Sequence, residues 1–231
     1  MHDRKRRFVI VKIIENSKTR AEYWEAYYGE KLAPTLPSQF AVFFANEITT
    51  DSTVIELGCG NGRDAMFLRS YCNKVIAIDG SIAGIDNCID RANQMGLGNI
   101  NFLQSLIDDP ALAMKLKANI SNLNPANSVH IYSRFFLHSI NDDDEDCLVS
   151  LVDQLLDNRS GSFFVEFRTA KDEILSKYTG EHYRRYVEPL KFRKKFMDLG
   201  FDVDYFVEGV GFAKYKVDDA HVARFVFTKK R

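Results

Sequence analysis

The sequence predicts an α/β protein in which a largely parallel sheet carries helices on both faces. Short apolar runs rich in β-branched residues alternate along the chain with longer segments that begin and end at helix-capping residues. The run Thr53–Leu57 leads through a glycine-rich turn into a helix, and the next run, Lys74–Ile78, ends at Asp79. A strand, a turn, a helix and a second strand in this order form a βαβ unit, whose two strands are parallel.

Composition sets the size and the general class of the protein. The 231-residue chain is long enough for one domain of this kind with a small attachment. Its apolar content of 45% and charged content of 27% are those of an ordinary soluble protein. The net charge of −1 argues against nucleic acid or an anionic membrane as a partner. We expect an N-terminal arm and helical cap over residues 1–48 and the main domain over residues 49–231.

Two features bear on the cellular compartment. The four cysteines form no C-x-x-C pair, which is typical of reduced thiols in a cytoplasmic protein. The basic start of the chain is followed by the apolar run Phe8–Ile14, but Lys12 interrupts that run and no small-residue cleavage site follows it. We therefore expect a cytoplasmic protein with no membrane partner, and an N-terminal arm that forms a strand or an oligomer contact. A homodimer is a candidate assembly.

The first predicted helix, Ser17–Gly29, carries an aromatic set. Trp24, Tyr27 and Tyr28 recur at helical spacing, which is typical of a face packed on the core. Alternatively, these large side chains with polar tips cover a ligand site, where Tyr27 and Tyr28 would contact the substrate. A second helix is predicted over Gln39–Asn46 after a proline-containing loop.

Beyond the glycine-rich turn the alternation of strands and helices continues. Ser81 is a suitable cap for a helix that ends before Gly96, and Pro110–Leu123 is a helix or an irregular segment. The later predicted strands are Ile100–Gln104, Ser128–Ser133, Gly161–Phe167, Phe201–Val207 and His221–Thr228, and the later helices are Asp142–Leu156 and Pro189–Leu199. This order predicts a single Rossmann-like domain.

The glycine-rich turn predicts a nucleoside pocket. Its three alternating glycines let the backbone turn sharply and approach a ligand, and Asp79 at the same rim of the sheet can bind a ribose diol. The dinucleotide fingerprint requires a glycine where Arg63 stands, and the carboxylate of Glu56 would repel a pyrophosphate. The same carboxylate suits a ligand that carries an ammonium group.

The pattern E-x-G-x-G-x-G over residues 56–62 resembles the first motif of class I S-adenosylmethionine-dependent methyltransferases, and Asp79 resembles their acidic second motif. The resemblance implies a doubly wound sheet of seven strands with the last strand antiparallel, and S-adenosylmethionine as cofactor. It implies that Glu56 faces the methionine amino group and that Asp79 holds the ribose. We expect the rest of the cofactor site at Gly58, Cys59, Gly60, Asn61, Gly80, Ser81, Gln104, Ser105, Ser133 and Arg134, with Gln104, Ser105 or Asp108 near the adenine.

Candidates for the chemistry follow the fourth strand. Arg134 and His138 are four residues apart, on one face if this segment is helical, and His138 is a candidate general base. Alternatively, His138 only bonds the rim of the sheet. His182 is a second candidate base, whereas His130 lies inside a strand and is interpreted as a core histidine. The acidic run Asn141–Asp146 lacks the spacing of a calcium loop, so we predict no metal site.

A basic segment follows the fifth strand and predicts the substrate class. Arg168, Arg184 and Arg185, with Tyr183, lie in loops over the predicted rim, where planar guanidinium groups would bind a phosphate or carboxylate of a small acceptor. The alternative is a solvated, salt-bridged loop.

These residues, with Ser133–His138, Gly211–Ala213 and Arg224, resemble small bacterial methyltransferases of surface-polysaccharide gene clusters. The resemblance implies a methyltransferase that acts on a hydroxyl or phosphate-type oxygen of a small anionic metabolite, such as a nucleotide-linked or phosphorylated sugar. Two alternatives remain, namely methylation of protein or nucleic acid, and a non-catalytic nucleoside-binding subunit of a larger assembly.

Overall fold

The computed structural model describes residues 19–30, 33–124, 127–175, 177 and 183–229. The helices are α1 (Arg20–Gly29), α2 (Gln39–Ala45), α3 (Arg63–Leu68), α4 (Ile82–Gln94), α5 (Leu112–Ile120), α6 (Asp142–Leu156) and α7 (Pro189–Asp198), with short 3₁₀ turns at Leu137–Ser139 and Ala170–Asp172. The strands are β1 (Thr53–Leu57), β2 (Lys74–Asp79), β3 (Ile100–Gln104), β4 (Val129–Arg134), β5 (Ser162–Arg168), β6 (Phe201–Gly209), β7 (Lys214–Tyr215), β8 (Asp218–Asp219) and β9 (Val222–Lys229).

Seven of these strands form one sheet in the order β3-β2-β1-β4-β5-β9-β6. The pairs among β1 to β5 are parallel, and β9 runs antiparallel to both β5 and β6. The predicted Rossmann-like sheet with an antiparallel last strand is therefore confirmed. Because β1, β2, β4 and β5 run in the same direction, their carboxyl ends meet at one rim, which is where ligands bind in sheets of this type.

The strands bury both of their faces, as a doubly wound fold requires. Along β1, Val54 packs in the cluster beneath α2 and α3, whereas the alternate residues Ile55 and Leu57 pack in the cluster beneath α5, α6 and α7. His130 of β4 lies beside two phenylalanine rings, and burial lowers its pKa to about 4, in agreement with the interpretation as a core histidine.

The N-terminal helix begins later than predicted. Thr19, not Ser17, caps α1, and Thr19 and Glu22 form a reciprocal capping box. The predicted arm and Ser17 lie outside the described residues. Elsewhere the predicted bounds of β3 and α6 are confirmed, and β4 and β5 each begin and end one residue later than predicted. Across the part of the chain that the structure describes, no helix is long and apolar enough to cross a membrane.

Gly161, directly before β5, provides a test of the sheet. Its φ is +151°, and a Cβ placed there would lie 1.7 Å from the carbonyl oxygen of Val129 on the neighbouring strand. We expect Gly161→Ala to lower the free energy of unfolding by at least about 2 kcal/mol, through backbone strain and this clash. Gly98→Ala is the matched control, since nothing lies within 4 Å of a Cβ there. Urea denaturation measures both, and equal midpoints for the two variants would contradict the β4–β5 packing.

Candidate functional site

The loop after β1 is closely bordered by side chains from two other segments. Gly58 and Gly60 have φ values of +77° and +57°, and the N–H groups of Gly58 and Cys59 both donate to the carbonyl of Ile78, each at 2.9 Å. A Cβ on Gly58 would lie 2.5 Å from the ring of Phe136, and one on Gly60 would lie 2.3 Å from the hydroxyl of Tyr28. The glycines therefore allow both aromatic side chains to reach the backbone of the loop.

Two adjoining cavities lie at this rim. The first has a volume of about 500 Å³ and is lined by the ends of β1 and β2, the segment after β3, and α1. The second has a volume of about 650 Å³ and lies between α1, the end of β4 and the β7–β8 hairpin. Trp24, Tyr28, Gly58 and Phe135 line both cavities, so a ligand in one cavity would lie against a ligand in the other.

Asp79 lies at the floor of the first cavity, where it organises the loop. Its carboxylate accepts the N–H of Gly60 at 2.7 Å and the N–H of Ser81 at 2.9 Å. Burial raises the pKa of Asp79, and these two hydrogen bonds oppose that rise. The acid thus lies where the sequence predicts a ribose-binding carboxylate.

Glu56 is a buried carboxylate with one oxygen unsatisfied among the described residues. Its side chain lines the second cavity, the residue is only 4% exposed, and no described group donates a hydrogen bond to its Oε2 atom. Burial raises the pKa of Glu56 well above its usual range, and the negative charge of Asp64 adds to the effect. A buried carboxylate in this state is suited to a cationic ligand. An ammonium group of S-adenosylmethionine fits this position, since it would supply the missing donor and the missing charge.

The other predicted cofactor residues are placed unevenly around the first cavity. Gly80, Ser81 and Ser105 line it, together with Asp108. Gln104 lines neither cavity and instead donates to the carbonyl of Gly80 at 3.1 Å, so of the three candidates for the adenine contact Ser105 and Asp108 line the first cavity.

Four further predicted cofactor residues lie at the second cavity or beneath it. Cys59 and Asn61 line the second cavity, and Asn61 holds the carbonyl of Pro34 at 2.9 Å. Ser133 is buried and donates to the carbonyl of Leu57 at 3.1 Å, which ties β4 to β1. Arg134 lines the second cavity and donates to Glu166 at 2.8 Å.

Helix α1 covers the first cavity, as the second of the two alternatives for its aromatic residues predicts. Glu25 accepts hydrogen bonds from the hydroxyl of Ser81 at 2.7 Å and from the N–H of Ala83 at 2.9 Å, at the start of α4. Arg20 bonds Asp144 of α6 at 2.7 Å. Trp24, Tyr27 and Tyr28 are all partly exposed, and of the aromatic residues of α1 only the neighbouring Tyr23 is buried, at 6% exposure. Helix α1 therefore bridges α4 and α6 above the cavity.

The two predicted bases have different outcomes. His138 is buried at the second cavity, between the rings of Trp24 and Phe135. The argument from helical spacing was wrong, because Arg134 ends β4 whereas His138 lies in a separate 3₁₀ turn. Both side chains nevertheless reach the same cavity. His182 lies outside the described residues.

The predicted arginine cluster is only partly brought together. Arg184 lines the second cavity, with Tyr27 and Tyr28 across from it. Arg168 also lines that cavity, but it is buried between Asp172 and Asp218, at 2.7 and 2.8 Å.

Two residues of the predicted acceptor set, Tyr183 and Arg185, line neither cavity. Arg185 pairs with Asp142 and Glu145 of α6, because its side chain turns to the acidic start of that helix. Tyr183 is 46% exposed, and its hydroxyl donates to the carbonyl of Ile140 at 3.4 Å. The salt-bridged alternative therefore describes Arg185, whereas for Arg184, which lines the second cavity, anion binding stays a prediction.

Sequence reasoning missed several residues that line the two cavities. Arg63 follows the glycine-rich turn directly, and its place at the start of a helix beside the pocket was a usable signal. Lys214 and Lys216 lie in the connection between β6 and β9, whose position over the rim only the topology reveals. Glu25 lies on α1, and nothing in the sequence pairs it with α4.

Residues 48–148, which span β1 to the middle of α6, match the model of a protein family described as "Methyltransferase domain". With this match, the fold and the site are those of an S-adenosylmethionine-dependent methyltransferase. A search of curated protein sequences finds no significant match.

Solved structures share the fold along most of the chain. A SAM-dependent methyltransferase from Anabaena variabilis ATCC 29413 superposes with a TM-score of 0.68 at 19% identity, over 93% of this chain and 96% of that one. A SAM-dependent methyltransferase from Methanosarcina mazei gives a TM-score of 0.63 at 16% identity, over 81% and 96%. Magnesium protoporphyrin IX methyltransferase from Synechocystis PCC 6803, solved with bound SAM, gives 0.53 at 13% identity, over 81% and 75%.

Glu56 provides a test of the donor site. We expect Glu56→Gln to weaken S-adenosylmethionine binding by about 1.5–3 kcal/mol, the usual loss for a hydrogen bond to a charged group. In the donor-free protein, the raised pKa of Glu56 means that stability falls as the pH rises through that pKa. The variant should therefore melt at a higher temperature than the wild type at neutral pH, and this difference should vanish in acid, where Glu56 is protonated.

Calorimetric titration and thermal scans across pH measure the two effects. Glu47→Gln, which removes an exposed acid far from the cavities, is the control. NAD should not bind to any of these proteins. A donor affinity unchanged by Glu56→Gln would contradict the role of this carboxylate.

Asp79 provides a second test. We expect Asp79→Ala to weaken donor binding by about 1.5–3 kcal/mol, because both the ribose contact and the hold on Gly60 are lost. Asp79→Asn should lose less, since the amide oxygen still accepts one N–H. Circular dichroism should show an intact fold for both variants. Donor affinity within about twofold of the wild-type value would remove Asp79 from the ribose site.

Proposed function

We propose that this protein transfers the methyl group of S-adenosylmethionine to a hydroxyl or phosphate-type oxygen of a small anionic metabolite. A nucleotide-linked or phosphorylated sugar, of the kind used in surface-polysaccharide synthesis, fits the proposal. The observation that carries it is the division of charge between the two cavities.

The first cavity is acidic and the second is basic. Five acidic side chains and one cationic side chain line the first cavity: Glu22, Glu25, Asp79, Asp108, Asp144 and Arg20. Six cationic and three acidic side chains line the second: Arg63, Arg134, Arg168, Arg184, Lys214, Lys216, Glu56, Asp64 and Asp218. The acidic first cavity suits the adenosine part of the cationic donor, whose methionine end would extend past the residues that line both cavities to Glu56 in the second cavity. The rest of the second cavity is lined mainly by cationic side chains, which favours an anionic acceptor.

The residues that line both cavities support methyl transfer. When bound, S-adenosylmethionine supplies an activated methyl group, and the remaining requirement is alignment in a site that excludes water. Trp24 and Tyr28 cover the junction between the two cavities. Their large aromatic faces, held by the contacts of α1, would exclude water from that junction.

His138 is the residue we propose as general base. It lies at the second cavity beside Trp24, and its carbonyl oxygen accepts the N–H of Arg185 at 2.9 Å. A neutral imidazole at this position can accept the proton of an acceptor hydroxyl.

The acceptor class is tested with S-adenosylmethionine and a panel of phosphorylated and nucleotide-linked sugars, matched with neutral sugars of the same ring. Mass spectrometry detects a methylated product. We expect methylation of the anionic members. Methylation of the neutral sugars alone would contradict the charge argument, and failure to bind the donor would contradict the class.

Arg184 and Arg185 form a matched pair for a prediction. With the best acceptor of the panel, Arg184→Ala should raise the KM by at least about tenfold, about 1.4 kcal/mol, and leave donor binding unchanged. Arg185→Ala should leave the KM unchanged and lower the melting temperature, since Glu145, 4% exposed, loses one of its partners. Steady-state kinetics and thermal scans measure both, and an equal effect of the two variants on the KM would contradict the assignment.

A further inference from the structure

The connection between β6 and β9 is larger than an antiparallel pair requires. Residues 210–221 link the two strands, whereas most such connections contain about two to five residues. This segment folds into its own hairpin of β7 and β8, and Lys216 at its turn has a φ of +56°. Because β6 runs parallel to β5, the hairpin lies at the rim where the two cavities open.

The base of the hairpin is firmly held. Asp218 of β8 accepts a hydrogen bond from the buried guanidinium of Arg168 at 2.8 Å, and Asp219 accepts the N–H of Gly211 at 2.7 Å. Ala213 and Ala220 are buried in a small apolar cluster with Phe135 and Phe212. The hairpin is therefore an ordered part of the cavity wall.

Arg168 joins the hairpin to the sheet. It extends from the end of β5, and its guanidinium lies 5.1 Å from the ring centroid of Phe135, which lines both cavities. Both of its acidic partners, Asp172 and Asp218, are themselves buried. Because its guanidinium is paired with these two buried carboxylates, Arg168 is placed to hold Asp218 and the hairpin in position.

The tip of the hairpin presents positive charge to the second cavity. Lys214, Tyr215 and Lys216 are exposed and line it. Arg184 lines the same cavity from the segment before α7. Lysine and arginine converging on one cavity from separate segments match a ligand with several anionic oxygens, such as a phosphate or diphosphate.

We propose that the β7–β8 hairpin is the acceptor-recognition element of this enzyme, with Lys214 and Lys216 binding the phosphate or diphosphate group of the acceptor and Arg168 acting as a positioning residue through Asp218. This inference rests on the proposed function, and it deepens it by assigning the anionic group of the acceptor to a named element.

The experiment uses inorganic pyrophosphate as the probe and the single tryptophan as the reporter. Trp24 lines both cavities, so the full-length protein is first saturated with S-adenosylhomocysteine and then titrated with pyrophosphate while fluorescence is recorded. Lys214→Ala combined with Lys216→Ala should weaken pyrophosphate binding by at least about fivefold, as expected for two exposed charged contacts. Donor affinity should stay within about twofold of the wild-type value.

The control variant removes two lysine charges from a part of the surface outside the cavities. Lys191→Ala combined with Lys194→Ala changes two exposed lysines of α7 that line neither cavity, and should leave pyrophosphate binding unchanged. Equal pyrophosphate affinities for the wild type and the Lys214, Lys216 variant would overturn the proposal. A failure of the wild type to bind S-adenosylhomocysteine would instead overturn the proposed function.

Asp218→Asn tests the positioning role of Arg168, because positioning and charge predict opposite changes in pyrophosphate affinity. The substitution removes a negative charge from the wall of the cavity, which by charge alone would strengthen anion binding. If the ion pair with Arg168 positions the hairpin, the variant should bind pyrophosphate at least about threefold more weakly, despite the gain in positive charge. Tighter binding would overturn the positioning role.

Discussion

The site is arranged around one buried carboxylate at the centre of the sheet. Glu56 lies on β1, between β2 and β4, and one of its oxygens has no donor among the described residues. Burying an unpaired charge costs folding free energy, and the protein lowers that cost by raising the pKa of the group. A bound ammonium group would remove the cost. The charge of Glu56 is therefore expected to strengthen donor binding and to lower the stability of the donor-free protein.

The remaining acids and bases near the site are largely paired with one another, which fixes the geometry of the walls. Glu166, 1% exposed, accepts from Arg134 at 2.8 Å and from Arg224 at 2.7 Å. Asp64 accepts from the hydroxyl of Tyr132 at 2.9 Å and from Ser38. Breaking such buried pairs is expected to cost about 3–5 kcal/mol, because a buried charge would be left alone. These residues hold the cavity in shape, and Arg184 and the two hairpin lysines add positive charge to its lining.

Helix α1 links the cover of the site to its floor. Glu25 accepts a hydrogen bond from the hydroxyl of Ser81, the residue that caps α4. The N–H of the same serine donates to Asp79. Tyr28 approaches Gly60 from the same helix. A displacement of α1 would therefore disturb both Asp79 and the glycine loop, so the helix and the loop beneath it are mechanically coupled.

The sequence by itself determined the sheet, the glycine loop and the pair of Glu56 and Asp79. These features depend on local order along the chain: alternating strands and helices, glycines where the backbone turns, and acids at the ends of neighbouring strands. The tertiary structure decided which arginine lines the cavity. Arg184 and Arg185 are adjacent in sequence, but Arg185 turns to the acids at the start of α6, whereas Arg184 lines the second cavity. It also placed Glu25 against the start of α4, and Lys214 and Lys216 at the second cavity, although these residues lie far along the chain from the other residues at those places. Contacts between residues so far apart in sequence are set by how the helices and strands pack, so local sequence patterns cannot predict them.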